Sequence, residues 1–281
     1  MSYYKFDTLF SVARYPAGES HIQLMSHVNF GILRQNARHG IVIEAWTTSF
    51  EDICNVLTAD AMLKRQGISS QWFIPYMPFA RHDRRNHNGD GFELDIAIGM
   101  LKAINPVIAD PHSDVSGSQL RYITQSAAVS LYRKYSLFSD SDYVIIPDQG
   151  AVKKTHSWLG KNLAIQGKKI RNPLTGALSG FGIDVDKLSD GSFNGANCII
   201  VDDICDGGGT FLGLLKVLKD HGAGKVTLAT TFGLYTKGVE LLTDAFDSVV
   251  SFGDNLNGPS NLHQISFQDL YFYAENNEEI L

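Results

Sequence analysis

Residues 199–211 read Ile-Ile-Val-Asp-Asp-Ile-Cys-Asp-Gly-Gly-Gly-Thr-Phe: an apolar run, an acidic pair, then three glycines and a hydroxyl. That order suits a ligand carrying both sugar hydroxyls and a phosphate. In an open α/β sheet, ligands gather where strand carboxyl ends meet the N-termini of the following helices. A strand over 198–201 therefore delivers Asp202 and Asp203 to that edge, facing a ligand, where carboxylates accept hydrogen bonds from ribose hydroxyls. Gly207, Gly208 and Gly209 let backbone amides approach phosphate oxygens with no β-carbon in the way, and Thr210 adds a hydroxyl before a helix over 211–218. Without a ligand, the same residues read as an acidic turn whose aspartates cap a helix.

Four further segments could contribute. Residues 75–85, Pro-Tyr-Met-Pro-Phe-Ala-Arg-His-Asp-Arg-Arg, put two aromatics and three arginines at a strand end. That is a stacking surface beside guanidinium groups able to hold phosphates bidentately, or else a solvated basic loop. His112 follows Asp110 and Pro111 at another strand end, a position suited to contact a metal or a phosphate. Asp148 opens Asp-Gln-Gly-Ala-Val-Lys, where it is a metal candidate or a helix cap. Residues 167–171, Gly-Lys-Lys-Ile-Arg, begin a polar stretch with little periodic hydrophobicity, a loop suited to bringing positive charge over a polyphosphate.

The elements that must position these groups alternate between short apolar strands and helical stretches, which favours α/β with mainly parallel central sheets. Strands are expected over 41–46, 72–76, 106–109, 143–146, 162–165, 198–201, 226–230 and 248–251. Helices are expected over 50–65, 94–104, 152–159 and 211–218, the first with apolar residues near helical spacing. Two similar halves are suggested, with domains over 1–139 and 140–281, and the acidic tail 275–279 reads as solvated.

At 281 residues, two domains are a fair expectation. A net charge of -6 and 44% hydrophobic residues argue for a globular protein and against a nucleic-acid binder with an overall basic field. Cys54, Cys198 and Cys205 lack metal-ligand spacing, and the N-terminus has no basic-then-apolar signal pattern. No apolar run approaches the roughly 20 residues that span a bilayer. No membrane partner is expected, and the cytoplasm is the default location.

The segment 199–211 resembles the phosphoribosyl diphosphate signature of type I phosphoribosyltransferases, most closely as it stands in ribose-phosphate diphosphokinases. The run 75–85 is similar to the Pro-Tyr-x-x-Tyr-Ala-Arg-Gln-Asp-Arg-Lys segment of the diphosphokinases, which phosphoribosyltransferases lack. Asp110-Pro111-His112 resembles that family's Asp-Leu-His motif, and residues 147–150 its Pro-Asp-x-Gly motif. The resemblance implies two phosphoribosyltransferase-like domains, Mg²⁺ as cofactor, ATP and a ribose phosphate as partners, and a homo-oligomer.

It also implies roles. Tyr15, Glu19, Arg81, His82, Asp83 and His112 fall at the ATP, and His112 and Asp148 are the magnesium candidates. Asp202 and Asp203 fall at the ribose hydroxyls, and Asp206 with Gly207, Gly208, Gly209 and Thr210 at the 5-phosphate. The catalytic candidates are Lys168, Lys169, Arg171 and Asp206; Lys168 aligns without a gap, whereas Lys169 and Arg171 reproduce the family's Lys-x-Arg spacing. The implied reaction is transfer of the β,γ-diphosphoryl group of Mg-ATP to the C1 hydroxyl of ribose 5-phosphate, releasing AMP.

Three departures bear on specificity. The adenine-reading Phe-x-Asp-Gly-Glu survives as Tyr15-Pro16-Ala17-Gly18-Glu19, with Ala17 in place of Asp, and His82 replaces a glutamine. In the phosphate loop Gly207 stands where the family has Thr or Ser, which removes a hydroxyl and adds space. That keeps open a larger 5-substituted ribose such as ADP-ribose as acceptor. A phosphoribosyltransferase is disfavoured by 81–85, and a non-catalytic regulatory homologue by the intact Asp202, Asp203, Lys169 and Arg171.

Overall fold

The computed structural model describes all residues except Asn86, Ser141, 172–177 and 254–257, and leaves undescribed the side chains of 169–171, 178–179 and Ser189. The chain divides into two units, one formed by Met1–Thr124 with Glu278–Leu281 and the other by Gln125–Asn277.

The first unit runs β1 (Ser2–Lys5), α1 (Phe6–Leu9), β2 (Phe10–Arg14), β3 (Ser20–Leu24), α2 (Phe30–Ala37), β4 (Ile41–Glu44), α3 (Phe50–Arg65), β5 (Gln71–Ile74), α4 (Glu93–Leu101), β6 (Val107–Ala109), α5 (Asp114–Gly117) and β7 (Arg121–Ile123). Strands β1, β4, β5, β6 and β7 pair in that order, all parallel. Continuous apolar runs such as Ile41, Val42 and Ile43 are buried, as strands covered on both faces require. The start of α3 is fixed by a capping box, Ser49 accepting from the Asp52 N–H while Asp52 accepts from the Ser49 N–H. The antiparallel hairpin β2–β3 is tied to α3 through Glu51, which accepts from Arg14 at 2.7 Å and Ser20 at 2.6 Å.

The second unit runs α6 (Gln125–Lys134), β8 (Tyr143–Ile146), α7 (Val152–Trp158), β9 (Ala164–Arg171), β10 (Leu178–Ile183), β11 (Cys198–Cys205), α8 (Gly209–Asp220), β12 (Val226–Gly233), α9 (Glu240–Thr243), β13 (Ser248–Phe252), β14 (Leu262–Ile265) and α10 (Phe267–Asn276). Its seven-stranded sheet has the order β10-β9-β8-β11-β12-β13-β14, and only the edge strand β10 runs antiparallel to its neighbour. Strand β11 lies at the centre, with Ile199, Ile200 and Val201 almost wholly buried. The expected class, α/β with mainly parallel sheets, is what the chain adopts.

Several particulars differ from the sequence reading. Helix α6 belongs to the second unit: Gln125 accepts from the Trp158 indole at 2.9 Å, and the Tyr132 hydroxyl donates to the Thr230 carbonyl at 3.1 Å. The division into compact units falls after Thr124, whereas the two similar strand–helix halves suggest domains over 1–139 and 140–281. The acidic tail is solvated only in part. Residues Tyr122 and Leu281 exchange backbone hydrogen bonds, and Thr124 donates to Glu279 at 2.6 Å, so the chain end covers the edge of the first sheet beside β7. Strand β11 does not stop at Val201 but pairs with β12 as far as Cys205, and β9 extends through the basic residues expected in a loop.

Candidate active site

Strand β11 carries its acids inside the sheet edge rather than beyond it. Asp202 lies opposite Thr230 of β12 and keeps part of its surface in solvent, whereas Asp203 is buried. Successive strand residues point to opposite faces, so neighbouring carboxylates meet different surroundings. Asp203 forms an ion pair with Lys154 of α7 at 3.2 Å and also accepts from the Ile204 N–H at 3.0 Å. A buried carboxylate needs such partners to remain ionised. Asp202 accepts the Asp203 N–H at 3.0 Å, but burial and the charges of Asp203 and Asp148 push its carboxyl above the usual range. The strand end thus gathers several carboxyl groups, with Lys154 paired to Asp203. A bound sugar offering hydroxyl donors, or a cation, would suit them.

The glycine loop follows directly. Gly208 is the N-cap of α8 with φ +74, and a β-carbon there would come within 2.8 Å of Leu242. Both facts demand glycine: the left-handed region disfavours L side chains, and the packed leucine leaves no room. At Gly207 an added β-carbon would instead meet the flexible stem of Lys237 at 3.2 Å. Gly209 and Thr210 form the first turn of the twelve-residue helix α8, whose free N–H groups and dipole favour an anion. Asp206 is held from the far side, accepting the Thr236 hydroxyl at 2.6 Å while its carbonyl accepts the Thr236 N–H at 3.2 Å.

Asp148 accepts the Gly150 N–H at 2.9 Å and so caps a short 3-10 turn, and it is also near enough to Asp202 to raise its pKa. Lys168 is exposed on β9 and lies 3.7 Å from Asp184. Lys169 and Arg171 fall on the same strand, in register with Phe181 and Leu178, but their side chains lie outside the described residues.

In the first unit, Tyr15 and Glu19 close the β2–β3 hairpin, the Tyr15 N–H donating to the Glu19 carbonyl at 2.9 Å around Gly18. The loop after β5 carries Arg81, His82 and Asp83. There His82 meets Glu93 at 3.1 Å, Asp83 meets Arg84 at 3.3 Å, and Arg85 lies over the Phe92 ring. A cavity of about 310 Å³ is lined by Arg81, His82, Arg84, Asp90, Gly91 and Glu93. The aromatics expected to offer a stacking surface are engaged within the protein: Tyr76 stacks on Trp46 and Phe79 on Phe50. The ring left half exposed is Trp46, at the end of β4. His112 sits half-buried after β6, next to buried Asp110.

Lys154, Thr236, Lys237 and Trp46 were not singled out from the sequence. A signal existed for two of them, because Gly-Leu-Tyr-Thr-Lys-Gly at 233–238 is a glycine-bounded turn after an apolar strand, as the acidic loop is. Neither Lys154 within α7 nor Trp46 carries any comparable local mark.

No group of three or more His, Cys, Asp or Glu side chains that could hold a metal ion exists among the described residues. The donor set fits Mg²⁺ only in company. Mg²⁺ prefers oxygen donors and commonly takes one or two carboxylates with substrate phosphates and water, and Asp148 and Asp202 supply carboxylates within range of each other's charge.

The Phosphoribosyl transferase domain family model matches residues 153–258, which contain Lys154, the acidic pair, the glycine loop and the 233–238 turn. Ribose-phosphate pyrophosphokinase of Pyrococcus furiosus is 25% identical over 254 residues, covering 85% of this chain and 83% of that protein. The enzyme of the same name from Thermoplasma volcanium is 26% identical over 245 residues, 84% of this chain and 80% of its own. The crystal structure of phosphoribosylpyrophosphate synthetase from Mycobacterium smegmatis superposes with a TM-score of 0.73 over 99% of this chain and 98% of that one, at 17% identity, a likeness of fold.

Proposed function

Because the chain is related to the ribose-phosphate pyrophosphokinases along most of its length, we propose that it is a diphosphotransferase converting Mg-ATP and ribose 5-phosphate to phosphoribosyl diphosphate and AMP. The observation that carries this reading is the strand end itself. An acidic pair, a left-handed glycine that packing also demands, and a helix N-terminus follow one another within Asp202–Thr210, inside the segment matched to the phosphoribosyl transferase domain.

In this reading Asp202 and Asp203 accept hydrogen bonds from the ribose hydroxyls, with Lys154 paired to Asp203. The amides of 207–209 and the Thr210 hydroxyl take the 5-phosphate. The C1 hydroxyl attacks the β-phosphorus of ATP, its proton passes to Asp206, and the α,β bridge breaks to release AMP. Arg81, His82, Asp83 and His112, with Tyr15 and Glu19, bind the nucleotide. Lys169 and Arg171, with Lys168 beside them, hold the migrating diphosphoryl group. Such reactions are accelerated mainly by alignment and charge stabilisation. Asp148, and His112 through water, would hold Mg²⁺, which supplies neutralisation of phosphate charge.

One observation favours a second acceptor. Gly207 faces the flexible end of a lysine rather than backbone, so that side of the loop can yield to a phosphodiester. This makes ADP-ribose the alternative to ribose 5-phosphate. The test is AMP formation from Mg-ATP with and without each acceptor. Acceptor-dependent AMP supports the reading, and its absence with every phosphorylated ribose rejects it.

A further inference from the structure

Lys237 lies across the place where a side chain at 207 would sit. A β-carbon on Gly207 would be 3.2 Å from both Cδ and Cε of Lys237 and 3.4 Å from its Cγ, so the lysine stem runs along the phosphate loop and its ammonium lies one bond beyond Cε. The backbone that carries it is fixed on both sides. Tyr235 is buried with φ +46, and its carbonyl accepts the Gly238 N–H at 2.8 Å. Thr236 is bonded to Asp206 through both its hydroxyl and its N–H. Leu242 packs where a β-carbon of Gly208 would go. The lysine is therefore delivered to the loop by a segment that the loop itself anchors. Among the described residues Lys237 forms no ion pair, although Asp206 is bonded to its neighbour Thr236.

Resting on the function proposed above, we infer that Lys237 is a specificity-determining residue of the acceptor site, binding the anionic substituent at C5 of the ribose in place of the side-chain hydroxyl that Gly207 lacks. A hydroxyl within an amide cage demands one geometry and rejects a ligand that leaves its donors unpaired. A lysine ammonium is a point charge on a flexible stem, with three donors that rotate to suit. It serves a phosphomonoester and a phosphodiester alike. The acceptor class is thus set by negative charge at C5 more than by the size of the group that carries it, and the absent β-carbon at 207 is what lets the stem lie down.

Two substitutions separate charge from packing. Lys237→Met keeps a long unbranched stem against Gly207 and removes the charge; Lys237→Arg keeps the charge. Ribose 5-phosphate titrated calorimetrically into the nucleotide-free protein should bind Lys237→Met about 10-fold or more weakly, the scale of one lost charge-assisted hydrogen bond. It should bind Lys237→Arg within about 3-fold of the wild type, because a charged donor remains. In turnover, the acceptor KM of Lys237→Met should rise by the same factor with kcat little changed, as loss of uniform binding requires. Wild-type affinity in Lys237→Met overturns the inference and leaves the diphosphotransferase reading standing. Equal weakening in both variants, with a lowered melting temperature, also overturns it by making the lysine a packing element. Failure of the wild-type protein to bind ribose 5-phosphate overturns the functional reading and the inference with it.

Discussion

The glycine loop of the second unit and the arginine segment of the first are both proposed to hold phosphate, but they are held in opposite ways. The loop is locked: Gly208 sits in a left-handed conformation against Leu242, Asp206 is tied to Thr236, and the preceding strand is the buried centre of its sheet. The arginine segment is loosely tethered. Arg81, His82, Arg84 and Arg85 are exposed, and the pairs His82 with Glu93 and Asp83 with Arg84 are solvent-screened contacts that hold the segment weakly. A rigid cradle selects its ligand before chemistry, whereas exposed guanidinium groups pay an ordering cost when the ligand arrives. In the proposed function this makes the acceptor site preformed and leaves the nucleotide site to take its final shape on binding.

The strongest way to break that contrast is to remove the acids from the locked site. Asp202→Asn combined with Asp203→Asn should lower acceptor-dependent AMP formation by about 10³-fold, for two charged hydrogen bonds at ~2 kcal/mol each. ATP binding by calorimetry should stay near wild type, and a loss of ATP binding with acceptor binding preserved would exchange the two sites.

Next in size are the charges proposed to follow the transferred group. Lys169→Ala or Arg171→Ala should reduce kcat about 10²-fold with smaller changes in either KM, since these charges act mainly as negative charge migrates. Near-normal turnover in both variants removes β9 from the mechanism. In the loosely held segment the effect should be smaller and appear in binding. Arg81→Ala should raise the KM for ATP about 10-fold, the loss of one charged hydrogen bond at ~1.5 kcal/mol, while the acceptor KM is unchanged.

The smallest effect concerns stability and has a definite sign. The Asp202 carboxyl is pushed up by burial and by Asp203 and Asp148, so the folded protein holds that proton more tightly than the unfolded chain. Stability from this group is fully present below the ordinary aspartate pKa and is lost as pH rises through the raised one. Asp202→Asn should therefore raise the melting temperature near neutral pH by about 2 °C or more for ~1 kcal/mol, and the gain should disappear in acid. An unchanged or lowered melting temperature at neutral pH would show that the acid is not strained in the ligand-free protein.

Much of the fold was legible because it rests on local patterns. Helix α3 was expected at its observed limits, and β8 likewise, since each combines an apolar period with clear boundaries. The glycine loop was legible as a sequence of residue types. What fixes it was not: Thr236 reaches Asp206 from thirty positions away, and Leu242 and Lys237 meet the glycines only because β12 is paired with β11. The split between the aspartates was hidden for the same reason, as Lys154 is forty-nine positions from Asp203. The end of β11 was misjudged because acidic residues are poor strand formers, and pairing with β12 carries the strand on to Cys205. The engaged aromatics were also invisible locally, because Tyr76 and Phe79 are covered by Trp46 and Phe50 from other elements.

Transfer of an intact diphosphoryl group to a ribose held at the glycine loop separates the proposed reaction from every other use of ATP. Mass spectrometry of the products formed from Mg-ATP and ribose 5-phosphate tests it most directly. The account predicts AMP and a diphosphorylated ribose phosphate in equal amounts, neither appearing without the acceptor, with a diphosphorylated product also from ADP-ribose where the second acceptor is used. Formation of ADP, or of AMP accompanied by free diphosphate and unchanged acceptor, would contradict it.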